Sequence, residues 1–455
     1  MSGPACAGRR FVALLSLAAS AAACSPESDE MGPEAVFEDV TAEVSENVST
    51  VVTVRWTTKE PSTGYVEYGP TKDVELVTPL ETEATTEHAQ VLVGLKPDTV
   101  YYYRVTAWDG DAGRSEVKSI RTGYLPPGLP QISVTGTGHD EFIVTTLLGL
   151  TRGVVILDPE GEIVWFHEEE SDLSNYRARL SRDGKGVLFS SAQLSGEPSP
   201  DSRIVRLSFD GSEREETPIP LLAHDFVEHA DGTLGALVLE DREGADGEMV
   251  RGNKVVEVAP DGTQTDVWTT WDCFDPMEHP GNDGNTGWTF TNALDYDAVD
   301  DVYLVGIRNF DSIARVNRET AECEWVIGDM GATIDIDLQS TTFHHQHQFQ
   351  LFGNHLLVMD NEGSLAENES RVLEYEIDFE NNVATEVWSY VSSPSVFTYV
   401  LGEPTRYSNG DTFINWSYAG QMERVTETGE VLWKLNSTTG GVFGFNTLAK
   451  SLYEP

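Results

Sequence analysis

Residues 154–165 read VVILDPEGEIVW: an apolar run, the turn Asp158-Pro159-Glu160-Gly161, and a second strand-like run closed by a tryptophan. β-branched residues on both sides of a Pro/Gly turn signal a hairpin. The same phrase recurs at 204–218, 254–268, 312–325, 371–388 and 421–433, ending in tryptophan everywhere except 204–218. Its middle turns include Phe209-Asp210-Gly211, Pro260-Asp261-Gly262 and Glu427-Thr428-Gly429. Two further strands precede the phrase in each module, making six modules of four strands. Where all four strands are clear, the spacing is roughly 40–50 residues, the size of a propeller blade. Tandem sandwiches, at about 100 residues per domain, fit that period poorly. No long amphipathic helix pattern interrupts it. The expected fold is all-β, a six-bladed β-propeller over residues 130–455. A closed ring removes exposed sheet edges. The terminal Gly441-Val442-Phe443-Gly444-Phe445 is expected to close it against material near Ile132.

Upstream, residues 36–124 form a different pattern of short strands. Val51-Val52-Thr53-Val54-Arg55-Trp56-Thr57 alternates, and Gly64 to Gly69, Ala89 to Val93 and Leu95 to Val105 follow between Gly/Pro/Asp turns. Strands so separated over about 90 residues predict a β-sandwich. Trp56, the Leu-x-Pro-x-Thr-x-Tyr run and Tyr103-Arg104-Val105 resemble a fibronectin type III module. Asp109-Gly110-Asp111 reads as a turn, and Gly123 to Pro130 as a linker.

The N-terminus reads as a targeting segment. Arg9-Arg10 precede the apolar run Phe11 to Ala23, which is too short to span a bilayer. Ala21-Ala22-Ala23 then lead into Cys24, which resembles a bacterial lipoprotein signal with Cys24 as the lipidated residue. Ala21 stands where a larger aliphatic residue is usual, so ordinary signal cleavage nearby is the other reading. Residues 1–23 are thus a signal peptide and 24–35 an acidic, disordered tether. The implied location is a periplasmic or cell-surface lipoprotein, meeting the membrane only through a lipid on Cys24. The formal charge is −47, from 76 acids against 29 bases, which argues against nucleic acid and polybasic membrane contacts. Of four cysteines, Cys273 and Cys323 remain in the folded region. An exported protein can pair them, and two free thiols are the alternative.

Unusual polar residues cluster where three modules open. The third has His224-Asp225-Phe226-Val227-Glu228-His229. The fourth has Phe290-Thr291-Asn292-Ala293-Leu294-Asp295 and, after its second strand, Arg308-Asn309. The fifth has Phe343-His344-His345-Gln346-His347-Gln348, followed by Asp360-Asn361. In a propeller such strand ends converge on a central funnel. At strand spacing, His345 and His347 would share a face. His229 and His355 read as solvated turn residues, and His88 and His167 as surface or core.

The order His224-Asp225, Asn292, Arg308, Gln346-His347 and Asp360-Asn361 resembles the arylsulfotransferase family. The trailing Ser370-Arg371-Val372-Leu373-Glu374-Tyr375 is similar as well. The resemblance covers residues 130–455. It implies transfer of a sulfuryl group from an aryl sulfate donor to a phenol acceptor through a sulfohistidine, with no cofactor. It implies His347 as nucleophile, Arg308 as the cation beside the sulfuryl oxygens and His224 as donor or general acid. Asn292, Phe290 and His345 are carried as substrate-binding positions. The family usually has a histidine at position 290, and Phe290 cannot donate a hydrogen bond. No metal is required, although His345 and His347 keep a metal reading open. Because of Phe290, a non-catalytic propeller lipoprotein that binds a ligand is the second reading.

Overall fold

The computed structural model describes residues 37–454, apart from 109–112, 150, 170, 194–198, 245–246, 282–286, 365–368 and 439–441. The signal segment, Cys24, the tether and the Asp109-Gly110-Asp111 turn lie outside the described residues.

The described N-terminal strands, Phe37–Val44 to Lys118–Arg121, form two antiparallel sheets of three and four strands. Alternate residues Val52, Val54 and Trp56 point inward and meet Val66, Tyr68, Tyr101, Tyr103 and Val105 from the facing sheet. His88 is buried and stacked flat on Trp56, with ring centroids 4.7 Å apart.

Six further sheets follow, each antiparallel along its main ladder. Their innermost strands are Thr447–Ala449, Ala178–Leu180, Leu222–Glu228, Thr291–Asp297, Phe349–Phe352 and Glu403–Arg406. These belong to blades one to six. Each pair of consecutive blades encloses its own apolar cluster. Trp165 and Phe189 fill the seam of blades one and two, and Leu188 and Phe226 that of two and three. Trp268 and Tyr303 lie between three and four, Trp325 and Tyr375 between four and five. Met359 and Trp416 join five to six, while Phe166, Phe413 and Trp433 join six back to one. The sixth seam makes the array a ring.

Closure uses both ends of the propeller segment. Gln131–Gly136 pairs with Val431–Thr438 as the outer strand of blade six. Thr447–Ala449 pairs with Phe142–Leu148 as the inner strand of blade one, and Phe443 bridges to Leu147. The expected pairing of 441–445 with Ile132 is therefore corrected: Ile132 pairs with Ser437, at the opposite edge of a different blade. Two half-closures divide the seam between the inner and outer edges, so neither end of this segment is left as a free strand.

The recurring tryptophan has a physical role. The indole N–H of Trp165 donates to Phe209 O at 2.7 Å, that of Trp388 to Glu427 O at 2.8 Å, and that of Trp433 to Pro159 O at 3.1 Å. In each case an outer-strand tryptophan packs at a seam, fully buried for Trp165 and Trp433 and partly for Trp388, and latches the middle turn of the next blade.

The sandwich rests on the seam of blades one and two, where Val48, Val51 and Val93 join the propeller cluster with Leu452. The Tyr453 hydroxyl donates to Val91 O at 2.9 Å and accepts from Val93 N–H at 3.2 Å. Lys96 reaches Asp158 and Glu162 at 3.3 Å each.

Candidate functional site

The leading ends of four inner strands carry a non-glycine residue of positive φ: His224 (55°), Phe290 (46°), His345 (49°) and Leu401 (60°). Such conformations cost on the order of 1–3 kcal/mol each and persist only where the surroundings over-determine them. Two of these ends are also bulged. Between Leu222 and Phe226 the register shifts, as it does between Thr291 and Ala293. The extra residues are His224-Asp225 and Asn292, which the bulges re-aim out of the ladder.

His347 lies two residues before its strand and is buried. Its Nδ1 stands 2.8 Å from Asn361 Oδ1. Both amide hydrogens of Asn361 are already used, on Thr398 O at 2.6 Å and Leu401 O at 2.8 Å. The amide oxygen therefore faces His347 and can only accept. That assigns the proton to Nδ1 and the lone pair to Nε2. Burial holds the imidazole well below its ordinary pKa. The Asn361 bond opposes this, while any protonation of His224 and the Arg308 charge add to it. His347 is thus a neutral imidazole with a fixed tautomer.

The surrounding segment is gripped at every residue. Asp360 Oδ1 accepts from His344 N–H at 2.9 Å and Asp311 Oδ1 from His345 N–H at 2.6 Å. Asn292 Nδ2 donates to Gln346 O at 2.7 Å, and Gln348 Nε2 donates to Asp225 Oδ2 at 2.5 Å.

His224 is buried, and its Nδ1 makes no hydrogen bond among the described residues. Burial first, and then the Arg308 charge, push its pKa down to about 4 against the pull of Asp225. It is neutral at physiological pH and can offer an N–H rather than a full proton. Phe290 stands between the other two groups. Its ring meets His224 edge-on at 4.8 Å, and the Arg308 guanidinium lies over it at 5.6 Å. Arg308 follows the strand Val302–Ile307 in a short 3-10 turn, where its N–H donates to Phe290 O at 3.2 Å.

Beneath these groups a hydrogen-bonded network crosses the channel. Arg177 is buried and donates from Nε to Asp225 Oδ1 at 2.9 Å, and from Nη1 to Glu403 at 2.7 Å and to Asn446 O at 2.9 Å. Leu294 N–H reaches Asp225 Oδ2 at 3.1 Å, and Asn446 N–H reaches Glu403 at 2.7 Å. With Gln348, all six blades contribute one residue. Burial raises Glu403 against the pull of Arg177. It works the same way on Asp225, but Arg177 and Arg179 outweigh it and hold that carboxylate below its ordinary value.

The structure therefore brings His224, Phe290, Arg308 and His347 together, with Asn292 behind the His347 backbone. His345 differs from the alternation expected of it. The strand begins only at Phe349, and the left-handed backbone at His345 breaks the two-residue repeat. Its Nδ1 stands 2.9 Å from Glu362, poorly aligned for a hydrogen bond. His229 is not solvated: it is buried, stacked on Tyr296 at 4.0 Å and 2.8 Å from the Tyr303 hydroxyl. His355 lies on a strand, 2.8 Å from Glu374. Cys273 and Cys323 are bonded, with Cα atoms 6.0 Å apart. Sequence reading gave no role to Asn361, although it quoted that residue in a motif, and it missed Arg177 and Glu403, which carry no local signal.

The family model described as Arylsulfotransferase (ASST) matches residues 132–445. The chain belongs to the arylsulfotransferase family. Residues 37–122 match the model described as Purple acid Phosphatase, N-terminal domain. No curated protein matches the chain. Solved structures resemble this arylsulfotransferase-family chain at low identity. A protein of unknown function from Bacteroides caccae is 13% identical over 69% of this chain and 100% of its own, with a TM-score of 0.43. A streptogramin B lyase is 13% identical over 68% and 98%, with a TM-score of 0.40. Virginiamycin B lyase from Staphylococcus aureus is 12% identical over 76% and 93%, with a TM-score of 0.38. Likeness at that level carries no argument about the site. Family membership supports a sulfotransferase-type enzyme with aryl sulfates and phenols as its general substrates.

Proposed function

We propose that this arylsulfotransferase transfers a sulfuryl group from an aryl sulfate ester to a phenol through a sulfohistidine on His347. The observation that carries the reading is the fixed tautomer: Asn361 holds the proton on Nδ1 and leaves the Nε2 lone pair for sulfur. In the first half-reaction Nε2 bonds to sulfur, the sulfur–aryl oxygen bond breaks, and the phenolate leaves with that electron pair. In the second, the acceptor oxygen bonds to sulfur, the N–S bond breaks with its electron pair returning to Nε2, and the acceptor's proton passes to water, balancing the phenolate released in the first. The covalent intermediate divides one difficult transfer into two easier ones. Arg308 stabilises charge on the sulfuryl oxygens, and the neutral His224 donates a hydrogen bond to the aryl oxygen. No resident cofactor or metal takes part. Asn292 supports the His347 backbone, and Phe290 forms an apolar wall beside the aryl group.

The protein acts after export, anchored through a lipid on Cys24 at the periplasmic or outer surface. A Cys24→Ser variant released from the membrane fraction supports that placement, and one that remains bound opposes it. Phe290 favours a second reading, a non-catalytic ligand-binding propeller. One experiment separates the two. The mature protein is incubated with an aryl sulfate and the tryptic peptide bearing His347 is weighed. A gain of one sulfuryl group, absent in His347→Ala, supports transfer. Unmodified His347 across a panel of aryl sulfates leaves only the binding reading.

A further inference from the structure

We infer that Gln348 and Asp225 are positioning residues that set the spacing between His224 and His347. The inference rests on the proposed reading of the site. Each of the two residues directly follows one of the histidines, and they are joined to each other at 2.5 Å. Asp225 is the fixed partner. Its Oδ1 accepts from Arg177 Nε and Phe226 N–H, both at 2.9 Å, and its Oδ2 from Arg177 Nη2, Leu294 N–H and Gln348. It is fully buried, so these bonds act without competition from solvent.

On the other side, the His347 segment is held to its own blade by its N–H on Met359 O at 3.2 Å and by Asn361, and to the fourth blade by Asp311 and Asn292, but none of these bonds reaches the third blade. His224 sits on a bulge at φ 55°, and His347 precedes its strand behind a left-handed His345. No backbone ladder joins the strand that carries His224 to the segment that carries His347, because the two belong to different sheets. The Gln348–Asp225 bond is a direct side-chain tie between the leading ends of the third and fifth inner strands. A misplacement of about 1 Å can cost a reaction about 10²-fold. A bond that ties these two ends directly therefore acts on the rate without touching substrate.

The test is Gln348→Met, which keeps the volume and removes the donor, alongside Gln348→Glu. With Gln348→Met, kcat and the single-turnover rate of His347 sulfation should fall about tenfold or more, with KM and thermal midpoint nearly unchanged. In Gln348→Glu the new carboxyl faces Asp225, with Arg177, Arg179 and Glu403 behind it and the two histidines above. Its carboxylate repels Asp225, but its protonated form donates an O–H in the place of the lost N–H. Activity relative to wild type should therefore recover as pH is lowered, which loss of folded protein cannot imitate. Full kcat in Gln348→Met, or equal loss at every pH in Gln348→Glu, overturns the inference. Imidazole NMR of 13C-histidine-labelled protein gives a readout independent of turnover. His224 and His347 ring signals that stay unmoved in Gln348→Met also overturn it. Absence of sulfohistidine in the wild type sinks the proposed function instead, and the ring signals still decide the spacing.

Discussion

Phe290 occupies the most informative position in the site, and Phe290→His is the substitution that tests it. The phenyl ring lies 4.8 Å from the His224 ring and 5.6 Å from the Arg308 guanidinium carbon, so a side chain there faces both groups. Its φ of 46° is unfavourable for a bulky aromatic, whereas histidine is enriched in that region, so the change should not cost the fold. Burial and the Arg308 charge would keep the new imidazole neutral, an N–H donor rather than a second cation. One well-aimed oxyanion donor is worth about 2.7–4 kcal/mol. Loss of the phenyl face under Arg308 forfeits about 0.5–1 kcal/mol of cation–π attraction. The balance is about 2–3 kcal/mol, and imperfect aim halves it to about 1–1.5 kcal/mol, so a rise in kcat of roughly five- to tenfold is expected at about 1.4 kcal/mol per decade.

The assay is steady-state release of a chromogenic phenol from its sulfate ester, with the amplitude of His347 sulfation as a check on active-site content. Sulfation retained while kcat falls on every donor would refute the reasoning. Phe290 would then be a working wall of the pocket and not a lost donor. A fall restricted to the most apolar donors, with a rise on polar ones, would assign it to specificity.

Three further outcomes follow from the same geometry. His347 is held well below the ordinary imidazole pKa, so the nucleophile stays unprotonated as pH falls through 6.5; the acidic limb of kcat/KM should lie below that value, and a midpoint at or above 6.5 counts against His347. His139 is buried on Trp433 and Phe413, its ring nitrogens making no well-formed hydrogen bond among the described residues, and it faces Arg424, Asp140 and the Glu141 backbone; burial pushes it down to about 4. The unfolded chain therefore binds the extra proton first, so stability should be full above 6.5 and fall by about 3 kcal/mol between 6.5 and 4, a slope that His139→Phe should flatten in thermal melts. The Cys273–Cys323 bond closes a 50-residue separation, and its removal in Cys273→Ser/Cys323→Ser should cost about 4 kcal/mol, read as a lower melting midpoint; an unchanged midpoint contradicts the loop-entropy argument.

The architecture was legible because it rests on local chemistry written six times. Alternating strands recur in all six, with a Gly turn in four and a terminal tryptophan in five, and Trp165, Trp388 and Trp433 latch neighbouring turns in one recurring way. Ring closure was misread because pairing partners more than 290 residues apart leave no periodic trace. Phe443 and Ile132 belong to different blades. The sandwich was readable from Val52, Val54 and Trp56. Its seat against Tyr453 was not, since a C-terminal tyrosine carries no mark of the partner it will meet.

The site divides in the same way, and the division follows the physics of each group. His224, Arg308 and His347 stand out because polar residues gathered at strand ends are costly to bury unless used. What readies them is less visible. Asn361 fixes a tautomer only because Thr398 and Leu401 consume its amide hydrogens, and those carbonyls come from the next blade. Arg177 and Glu403 look like ordinary surface residues in sequence, yet burial, pairing and the adjoining Asn446 make them part of the channel floor. Three backbone strains at His224, Phe290 and His345 converge above that floor. A charged floor is a costly place to gain stability, since an apolar plug of equal volume would serve as well or better. Its residues fit a different requirement: bonds whose direction is fixed, tying six blades to one point so that strained side chains above them keep one arrangement.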